Sequence, residues 1–299
     1  MKAAVIHEFG PPSVLVAEPV PEPQGEVLVE VEFASITFIE TIVRAGRSPM
    51  LPPPLPAILG NGVGGTAEGR RVITTTGGLG GYAERAAVPR AGLIDVPDEL
   101  ALDVAVALLA DGRTAVGLMR GAQVRPGETV LVEAAAGGVG SLLVQLARDA
   151  GAHVVAAAGA PHKLELAREL GAQEAVAYER IPELRCDVVF DGVGGRVGRA
   201  AFEALRPGGR MSSFGLASGA FTRADPEEAA ARGVTLVRGA PPTAEESSER
   251  TRAALALAAE GRLRPVIGQR FPLAEAAAAH AAIEARATVG KTLLVTAPS

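Results

Sequence analysis

A glycine-rich turn between an apolar strand and an amphipathic helix constrains this chain more than any other stretch. Residues 129–151 read TVLVEAAAGGVGSLLVQLARDAG, and Val130, Leu131 and Val132 form a continuous apolar run. Such a run is typical of a strand that helices cover on both faces. Leucine and alanine then recur at helical spacing until Gly151, where we expect the helix to end. The stretch predicts a βα unit.

The turn within this unit has the composition of a dinucleotide cradle. Gly137 lets the backbone approach a pyrophosphate, Gly140 lets the helix pack closely on the strand, and free amides at the helix start face the anion. Ala135 stands where the usual G-x-G-x-x-G motif begins. An ordinary βα turn is the alternative, but more βα units follow, so we predict a cofactor-binding turn. Its residues are Ala136, Gly137, Gly138, Val139 and Gly140.

Strands and helices alternate beyond the turn. Strands are predicted at 153–158, 176–177, 188–190, 210–214 and 234–237, with helices at 161–170 and 196–205. This order predicts an α/β fold with a doubly wound parallel sheet, the Rossmann arrangement. Ligands bind at the carboxyl ends of such strands, and Gly159, the 191–194 segment and the 214–215 segment follow strands here.

The remainder of the chain is richer in strands and loops. Before residue 98, strands are predicted at 2–6, 27–33, 71–75 and 82–88, with a helix at 36–45. A helical region is predicted at 100–120, before the parallel sheet, and an alanine-rich helix at 243–260 leaves the sheet. The tail adds strands at 266–271 and 291–295 and a helix at 273–285. We expect this tail to fold back onto the first part. The predicted domains are therefore 1–98 with 262–299, and 99–261.

Composition excludes several classes of protein. The net charge of -5 and the 3% aromatic content argue against nucleic acid as a partner. Cys186 is the single cysteine, which excludes an internal disulfide and predicts a reducing, cytoplasmic location. No uncharged apolar stretch is long enough to cross a membrane.

The end of the second strand indicates which dinucleotide would bind. NAD-preferring folds place Asp or Glu there to hold the ribose 2′-hydroxyl, but this chain has Ala157, Ala158 and Gly159. Lys163 follows in the first helical turn, where an ammonium can pair with a 2′-phosphate and His162 can assist. The alternative is that Lys163 is a solvated helix residue.

These motifs together resemble the zinc-independent quinone oxidoreductase (zeta-crystallin-like) branch of the medium-chain dehydrogenase/reductase family. The resemblance covers nearly the whole chain and is carried by GETVLVEAAAGGVGSLLVQLARDAGA, the spacing from Lys163 to Tyr178, FGLASG from Phe214, and RLRPVIGQRFPLAEAAAAH followed by VGKTLLV. It implies a GroES-like β-rich catalytic domain beside the Rossmann domain, NADPH as cofactor and a homodimer joined through the cofactor-domain sheets. It also implies that Lys163 and Tyr178 hold the 2′-phosphate. The further cofactor contacts that it implies are Thr114, Gly159, Gly192, Val193, Phe214, Gly215, Leu216, Ser218 and Arg286.

Zinc-dependent members of the wider family carry G-H-E-x-x-G, whereas this chain has Gly60-Asn61-Gly62 at that position. We therefore predict no metal. Without a Lewis acid, reduction of an unactivated ketone is difficult. A quinone is easier to reduce, because hydride addition gives an aromatic, resonance-stabilised anion.

The chain departs from the branch in two places. Asn and Asp of the branch pattern become Thr37 and Glu40, and its tyrosine position falls on Ser48. That loss disfavours enoyl-thioester reduction, for which the tyrosine is a candidate proton donor. The segment between Gly65 and Arg71 is also shorter than the resemblance leads us to expect.

The candidate catalytic residues are Thr37, Ser48 and Asn61. The structural alternative is a helix cap for Thr37 and a turn for Asn61. The leading hypothesis is an NADPH-dependent reductase of quinones or similar small conjugated molecules. An enone or enoyl-thioester reductase is the first alternative, and an NADPH-binding protein with little catalysis is the second.

Overall fold

The computed structural model describes residues 1–47, 52–237 and 241–296. The chain forms two compact units. The first unit is Met1–Ala110 with Ala254–Ser299, and the second unit is Asp111–Ala253. The predicted domain limits at residues 98 and 262 stay a prediction.

Strands and helices are numbered in chain order over the described residues. The strands are β1 Lys2–Ile6, β2 Leu15–Pro19, β3 Val27–Ile36, β4 Ala57–Ile58, β5 Gly62–Ala67, β6 Arg70–Thr75, β7 Arg85–Val88, β8 Ile94–Asp95, β9 Thr129–Glu133, β10 His153–Ala158, β11 Glu174–Ala177, β12 Cys186–Asp191, β13 Leu205–Ser213, β14 Thr235–Leu236, β15 Ile267–Pro272 and β16 Lys291–Val295. The α-helices are α1 Phe38–Arg44, α2 Leu102–Ala122, α3 Gly138–Asp149, α4 Pro161–Glu169, α5 Gly195–Glu203, α6 Pro226–Ala231, α7 Ala244–Ala259 and α8 Ala276–Glu284. Short 3₁₀ helices lie at Pro12–Val14, Arg90–Gly92, Tyr178–Glu183 and Leu273–Glu275.

The second unit is built on a parallel sheet whose described strands lie in the order β11-β10-β9-β12-β13-β14. Its middle strands are apolar on both faces, with Val130, Leu131 and Val132 all fully buried in β9. The strand order reverses direction beside β9, because β10 and β12 pair on its two sides. The prediction of a doubly wound parallel sheet is confirmed, and its ligand-binding edge lies at the carboxyl ends of these strands.

The first unit contains two sheets in its described residues. The smaller has the order β2-β1-β4, and the larger has the order β15-β16-β3-β5-β6-β8, with β7 paired to β3. β16 pairs antiparallel with β3, so that Thr292 lies opposite Ile36. The predicted return of the tail to the first part of the chain is therefore confirmed.

A tight hairpin replaces the segment that is short between Gly65 and Arg71. β5 and β6 pair up to Ala67 and Arg70, and only Glu68 and Gly69 connect them. Both connecting residues have positive φ, 51° and 73°, as a type I′ turn requires. The shortening therefore joins two strands directly and leaves both paired.

Several predicted element limits are wrong, and strand pairing explains them. Ile36 is the last residue of β3 and not the start of a helix, because it pairs with β16. Leu205 opens β13 by pairing with Cys186, whereas the sequence predicts a helix to 205 and a strand only from 210. The strand predicted at 82–88 begins at Arg85.

β5 is absent from the sequence prediction because glycine disfavours strands. Here the glycines serve close packing: a Cβ at Gly65 would lie 1.8 Å from the carbonyl oxygen of Glu30, and one at Gly64 would lie 2.3 Å from Val106. β2, β4, β8 and α6 are also missing from the prediction.

Among the helices in the described ranges, none is both long enough and apolar enough to cross a membrane.

Candidate functional site

The glycine turn of the second unit opens directly onto a helix start. Ala134 follows β9 with φ of 48°, and the Gly137 amide donates to its carbonyl oxygen at 2.8 Å. Gly137 is the N-cap of α3, and no side chain caps the helix there. The first amides of a helix have no partner within it, so they are available to an anion.

Two glycines of this turn are required for packing. A Cβ at Gly140 would lie 2.2 Å from the carbonyl oxygen of Ala134, which confirms the predicted close approach of helix and strand. A Cβ at Gly138 would lie 2.0 Å from Oδ2 of Asp111 on α2. A Cβ at Gly137 would meet only the Ala134 oxygen, at 3.1 Å, so its other side is open. Gly137 is thus the position where a ligand can approach the backbone.

A second set of predicted cofactor residues lies at the ends of β10 and β11. Ala158 pairs with Ala177, so the residues that follow them, Gly159 and Tyr178, are neighbours. The Tyr178 ring lies against Gly159, with Cε2 3.3 Å from where a Cβ would be. Lys163 lies in the first turn of α4, which begins at Pro161. β10 ends at Ala158 and is followed by Gly159, so no acidic side chain stands at this strand end.

Two loops that carry further predicted cofactor residues are hydrogen-bonded to each other in the second unit. The Ser218 amide donates to the Val193 carbonyl oxygen at 2.8 Å, and a Cβ at Gly215 would lie 2.3 Å from the Gly192 oxygen. The Phe214 ring packs on Gly192, with Cζ 2.9 Å from a Cβ there. The 192–195 and 214–218 loops therefore hold one another in place. Leu216 lies half-buried on the second of them.

Two buried carboxyl groups support these loops. Asp191 Oδ1 accepts from the Gly194 amide at 2.7 Å, and its Oδ2 accepts from the Ser213 hydroxyl at 2.8 Å. Glu133, the last residue of β9, accepts from the Val193 amide through Oε2 at 3.1 Å. Burial, and then the charge of Asp191, raises the pKa of Glu133 to about 9.

Thr114 and Arg286 complete the predicted cofactor residues. Thr114 lies on α2, half-buried, in the second unit. Arg286 belongs to the first unit, has φ of 57°, and places its guanidinium 4.8 Å from the centre of the Phe38 ring.

The candidate catalytic residues lie in the first unit, and two of them meet at Glu40. The Thr37 amide and hydroxyl donate to Glu40 Oε2 at 2.5 and 3.1 Å, and the Asn61 amide donates to Glu40 Oε1 at 2.8 Å. Thr37 is also the N-cap of α1, as its structural alternative predicts. Ser48 lies outside the described residues.

Glu40 is the centre of a buried polar network that continues to α8. The Tyr82 hydroxyl lies 3.2 Å from Glu40 Oε2 and 3.1 Å from His280 Nε2. Burial raises the pKa of Glu40, opposed by its hydrogen bond from Thr37, and burial lowers the pKa of His280 to about 3. The network therefore holds the Glu40 carboxyl group against the Thr37 hydroxyl and the Asn61 amide.

Comparison with known proteins identifies the group of enzymes that share these features. A family model described as zinc-binding dehydrogenase matches residues 170–294. A quinone oxidoreductase of Pseudomonas aeruginosa is 34% identical, with 96% of this chain and 97% of the relative covered. The structure of Escherichia coli quinone oxidoreductase complexed with NADPH has a TM-score of 0.90 at 29% identity and covers 99% of this chain and 100% of the other. The chain belongs to the zinc-independent quinone oxidoreductase branch of the medium-chain dehydrogenase/reductase family.

Other members of the family extend the comparison. The quinone oxidoreductase of Thermus thermophilus, solved also in complex with NADPH, has a TM-score of 0.84 at 34% identity and covers 99% of this chain and 100% of the other. A 2-haloacrylate reductase of a Burkholderia species is 32% identical over 98% of both chains. The resemblance and the fold class predicted from the sequence are confirmed.

In this member of the quinone oxidoreductase branch, most of the predicted cofactor residues lie in the second unit and the predicted catalytic residues lie in the first. Three groups of predicted cofactor residues lie at the carboxyl ends of strands of the parallel sheet. They are the turn at Ala136–Gly140, the neighbouring Gly159 and Tyr178 with Lys163 in the helix that follows β10, and the two hydrogen-bonded loops. Thr37 and Asn61 meet in the first unit. Their roles stay predictions, as does the absence of a metal. Among the described residues, no three His, Cys, Asp or Glu side chains are grouped as a metal site.

Sequence reasoning missed the residues that support this quinone oxidoreductase site from within. Glu133 carries a signal, because it is the one charged residue inside the buried stretch that begins at Val130. Glu40 appears in the sequence only as a departure from the family pattern. Asp111 and His280 have no local signal, since their contacts are distant in sequence.

Proposed function

We propose that this protein is an NADPH-dependent oxidoreductase that transfers hydride to a quinone or a similarly conjugated small molecule without a metal. The observation that carries the proposal is the near-full-length relation to quinone oxidoreductases, two of which are solved with NADPH. The site supports it independently, because the turn at Gly137 is open to a pyrophosphate and β10 ends without a carboxylate.

The described residues fit NADPH at two points. The uncapped amides at the start of α3 suit the pyrophosphate, since a helix N-terminus favours an anion. Lys163, in the first turn of α4, and Tyr178, against Gly159, would hold the 2′-phosphate. The 192–195 and 214–218 loops would position the nicotinamide half. When bound, NADPH supplies the hydride, and this chain supplies binding and orientation.

The proton that completes quinone reduction can come from water, because the quinol anion is stabilised by resonance. The Thr37 hydroxyl is held by its hydrogen bond to the buried Glu40 carboxyl group. We propose that this hydroxyl is a polar contact for the reduced substrate, which assists the reaction and is not essential to it.

An anaerobic assay of NADPH oxidation over a panel of quinones tests the proposed function. We expect turnover with at least one quinone and a lower Km for NADPH than for NADH. Binding of NADPH without turnover of any quinone would contradict the quinone assignment.

Reduction of a conjugated carbon–carbon double bond is the second candidate. The observation that favours it is the 2-haloacrylate reductase relative, at 32% identity over 98% of both chains. Competition between quinones and α,β-unsaturated ketones, acids or thioesters in the same assay separates the two reactions. Tight NADPH binding with no acceptor in the whole panel would instead support a binding protein with little catalysis.

We further propose a cytoplasmic homodimer joined through the parallel sheets of the second unit. β14 is the outermost of the described strands on its side of that sheet, so its edge can pair with a second copy. The single cysteine, Cys186, is buried and free, as suits a reducing compartment. Size-exclusion chromatography with light scattering tests the homodimer. Fractionation of the source cells tests the cytoplasmic location.

A further inference from the structure

Two carboxyl groups occupy neighbouring positions at the ends of β9 and β12. Phe190 pairs with Val132 in the parallel register, so the next residues, Asp191 and Glu133, lie side by side. Both side chains are fully buried. Two buried carboxyl groups at this spacing cannot both be ionised without a large cost in free energy.

The contacts of Asp191 are those of an anion. Its two oxygens accept hydrogen bonds from the Gly194 amide and the Ser213 hydroxyl, at 2.7 and 2.8 Å. The Gly194 amide belongs to the 192–195 loop, and Ser213 directly precedes the 214–218 loop. These two donors, which the fold supplies, stabilise the ionised form of Asp191.

The contacts of Glu133 are those of a neutral acid. Oε2 accepts from the Val193 amide at 3.1 Å, while Oε1 is buried and no N–H or O–H of the described residues reaches it. The parallel register of β9 and β12 places the Asp191 carboxylate beside the Glu133 carboxyl group. Since a carboxylate only accepts, a hydrogen bond between the two groups requires a proton on Glu133.

We propose that Glu133 is a neutral carboxylic acid that donates a hydrogen bond to ionised Asp191, and that this shared proton positions the Val193–Gly194 loop for the nicotinamide half of NADPH. The inference rests on the proposed function for the identity of the cofactor. Glu133 is a positioning residue, because its contacts are with Val193 and Asp191.

The proton on Glu133 therefore affects the positions of both the 192–195 loop and the 214–218 loop. Glu133 binds the Val193 amide, Asp191 binds the Gly194 amide, and the Val193 carbonyl oxygen accepts from Ser218 in the second loop. Loss of the proton places two anions side by side in the interior, and the loop can relieve their repulsion only by moving. NADPH affinity therefore falls when Glu133 ionises at alkaline pH.

The groups that act on Glu133 come from two elements packed against it. Asp191 on β12 contributes the charge, and the Val193 amide contributes from the loop before α5. Ser213 on β13 acts on Asp191 through its hydroxyl. Lys163 and Tyr178 belong to the other end of the proposed cofactor site, and a matched variant separates the effect of Glu133 from theirs.

Two substitutions of Glu133 separate the proton from the packing. Glu133→Gln keeps an acceptor for the Val193 amide and a donor for Asp191 but cannot ionise, whereas Glu133→Leu removes both. Glu169→Gln, at an exposed position of α4, is the control for the change of residue type. NADPH binding is measured by its fluorescence over a range from neutral to alkaline pH.

We expect Glu133→Leu to bind NADPH at least about tenfold more weakly than wild type at neutral pH, and Glu133→Gln to restore most of that loss. Above the pKa of Glu133, wild type and Glu169→Gln should lose affinity by about tenfold per pH unit more than Glu133→Gln does. Identical pH profiles for wild type and Glu133→Gln would overturn the proposal.

Infrared difference spectroscopy gives a second readout that does not depend on NADPH. The wild-type spectrum minus the Glu133→Gln spectrum at neutral pH should contain the carbonyl band of one neutral carboxylic acid, because any band from Glu40 is common to both proteins and cancels. If Glu133→Leu does not fold, this band and the pH dependence of NADPH binding by Glu133→Gln still test the proposal. If wild type binds no NADPH, the proposed function fails, while the infrared band separately supports or overturns the shared proton.

Discussion

The Tyr82 hydroxyl lies 3.1 Å from Nε2 of His280, and both side chains are fully buried in the first unit. Burial, together with the charge of Arg44, lowers the pKa of His280 to about 3. The imidazole is therefore neutral in the folded protein at any pH near neutrality. The burial of this imidazole makes the stability of the first unit sensitive to acid.

We predict that His280 destabilises the protein as the pH falls below its unfolded-state pKa. The unfolded chain binds a proton at His280 below about pH 6.5, and the folded protein does not until about pH 3. The contribution of His280 to the free energy of unfolding is thus fully present above pH 6.5, and it falls by about 1.4 kcal/mol per pH unit as the pH decreases toward 3. Urea unfolding of wild type and His280→Gln should show a shallower acid dependence for the variant. His162→Gln, at an exposed histidine, should keep the wild-type slope.

Glu40 should be among the most sensitive positions for stability. Glu40→Ala removes the acceptor for the Thr37 amide, the Asn61 amide and the Tyr82 hydroxyl. Each buried donor left without a partner costs about 1–3 kcal/mol, so we expect a loss of about 3 kcal/mol or more. Tyr82→Phe, which removes one of these donors, should lose only about 1 kcal/mol in the same urea experiment. Equal losses for the two variants would contradict a central role of Glu40.

The two ends of the glycine turn should respond differently to alanine. Gly140→Ala brings a Cβ to 2.2 Å from a backbone oxygen and should cost about 1–3 kcal/mol of stability. Gly137→Ala meets only one atom, at 3.1 Å, and should cost less than about 1 kcal/mol while weakening NADPH binding. Thermal unfolding and NADPH titration of both variants test this. A Gly137→Ala protein that binds NADPH as wild type does would place the pyrophosphate elsewhere.

Lys163 should determine the preference for NADPH over NADH. Lys163→Ala removes an ammonium from the first turn of α4, so we expect about tenfold weaker NADPH binding, or about 1.4 kcal/mol, with NADH binding unchanged. Arg168→Ala is the matched control, because it removes a cation from the same helix, where its guanidinium donates to the Ala175 carbonyl oxygen at 3.0 Å. Parallel losses for both cofactors would show that Lys163 does not recognise the phosphate.

Chelation should leave the reaction intact. The position of the zinc-binding His and Glu of the wider family is occupied by Asn61 and Gly62, so the chain lacks those ligands. We expect the rate of NADPH oxidation to be unchanged after prolonged treatment with a chelator and after addition of zinc. A loss of rate that zinc restores would contradict metal-free catalysis.

The second unit was the more predictable from sequence, because its signals are local. The apolar run at Val130, the glycine turn and the helix after it lie within a single stretch, and the structure has them as β9 and α3. The family motifs identified the fold class in the same way. Limits such as Leu205 could not be predicted, because pairing with Cys186 decides where β13 begins.

The first unit and the supporting carboxyl groups were less predictable, because their contacts join residues that are far apart in the sequence. β5 contains three glycines, and its strand conformation depends on the close approach of Glu30 and Val106. Glu40 meets His280 through Tyr82, residues that are far apart along the chain. Glu133 follows an apolar run as an ordinary charged strand end would, and only its register beside Asp191 reveals a buried pair.

The pairing of β16 with β3 also has a consequence for biosynthesis. On the ribosome, β3 emerges long before β16, which supplies the antiparallel partner of Phe33–Ile36. Until then that part of β3 has a bare backbone edge, which favours mispairing between nascent chains. The parallel sheet, whose strands all emerge in between, can be complete first. We therefore expect the early part of the chain to depend on chaperones during translation, and to be the region most exposed to aggregation when synthesis stalls before β16.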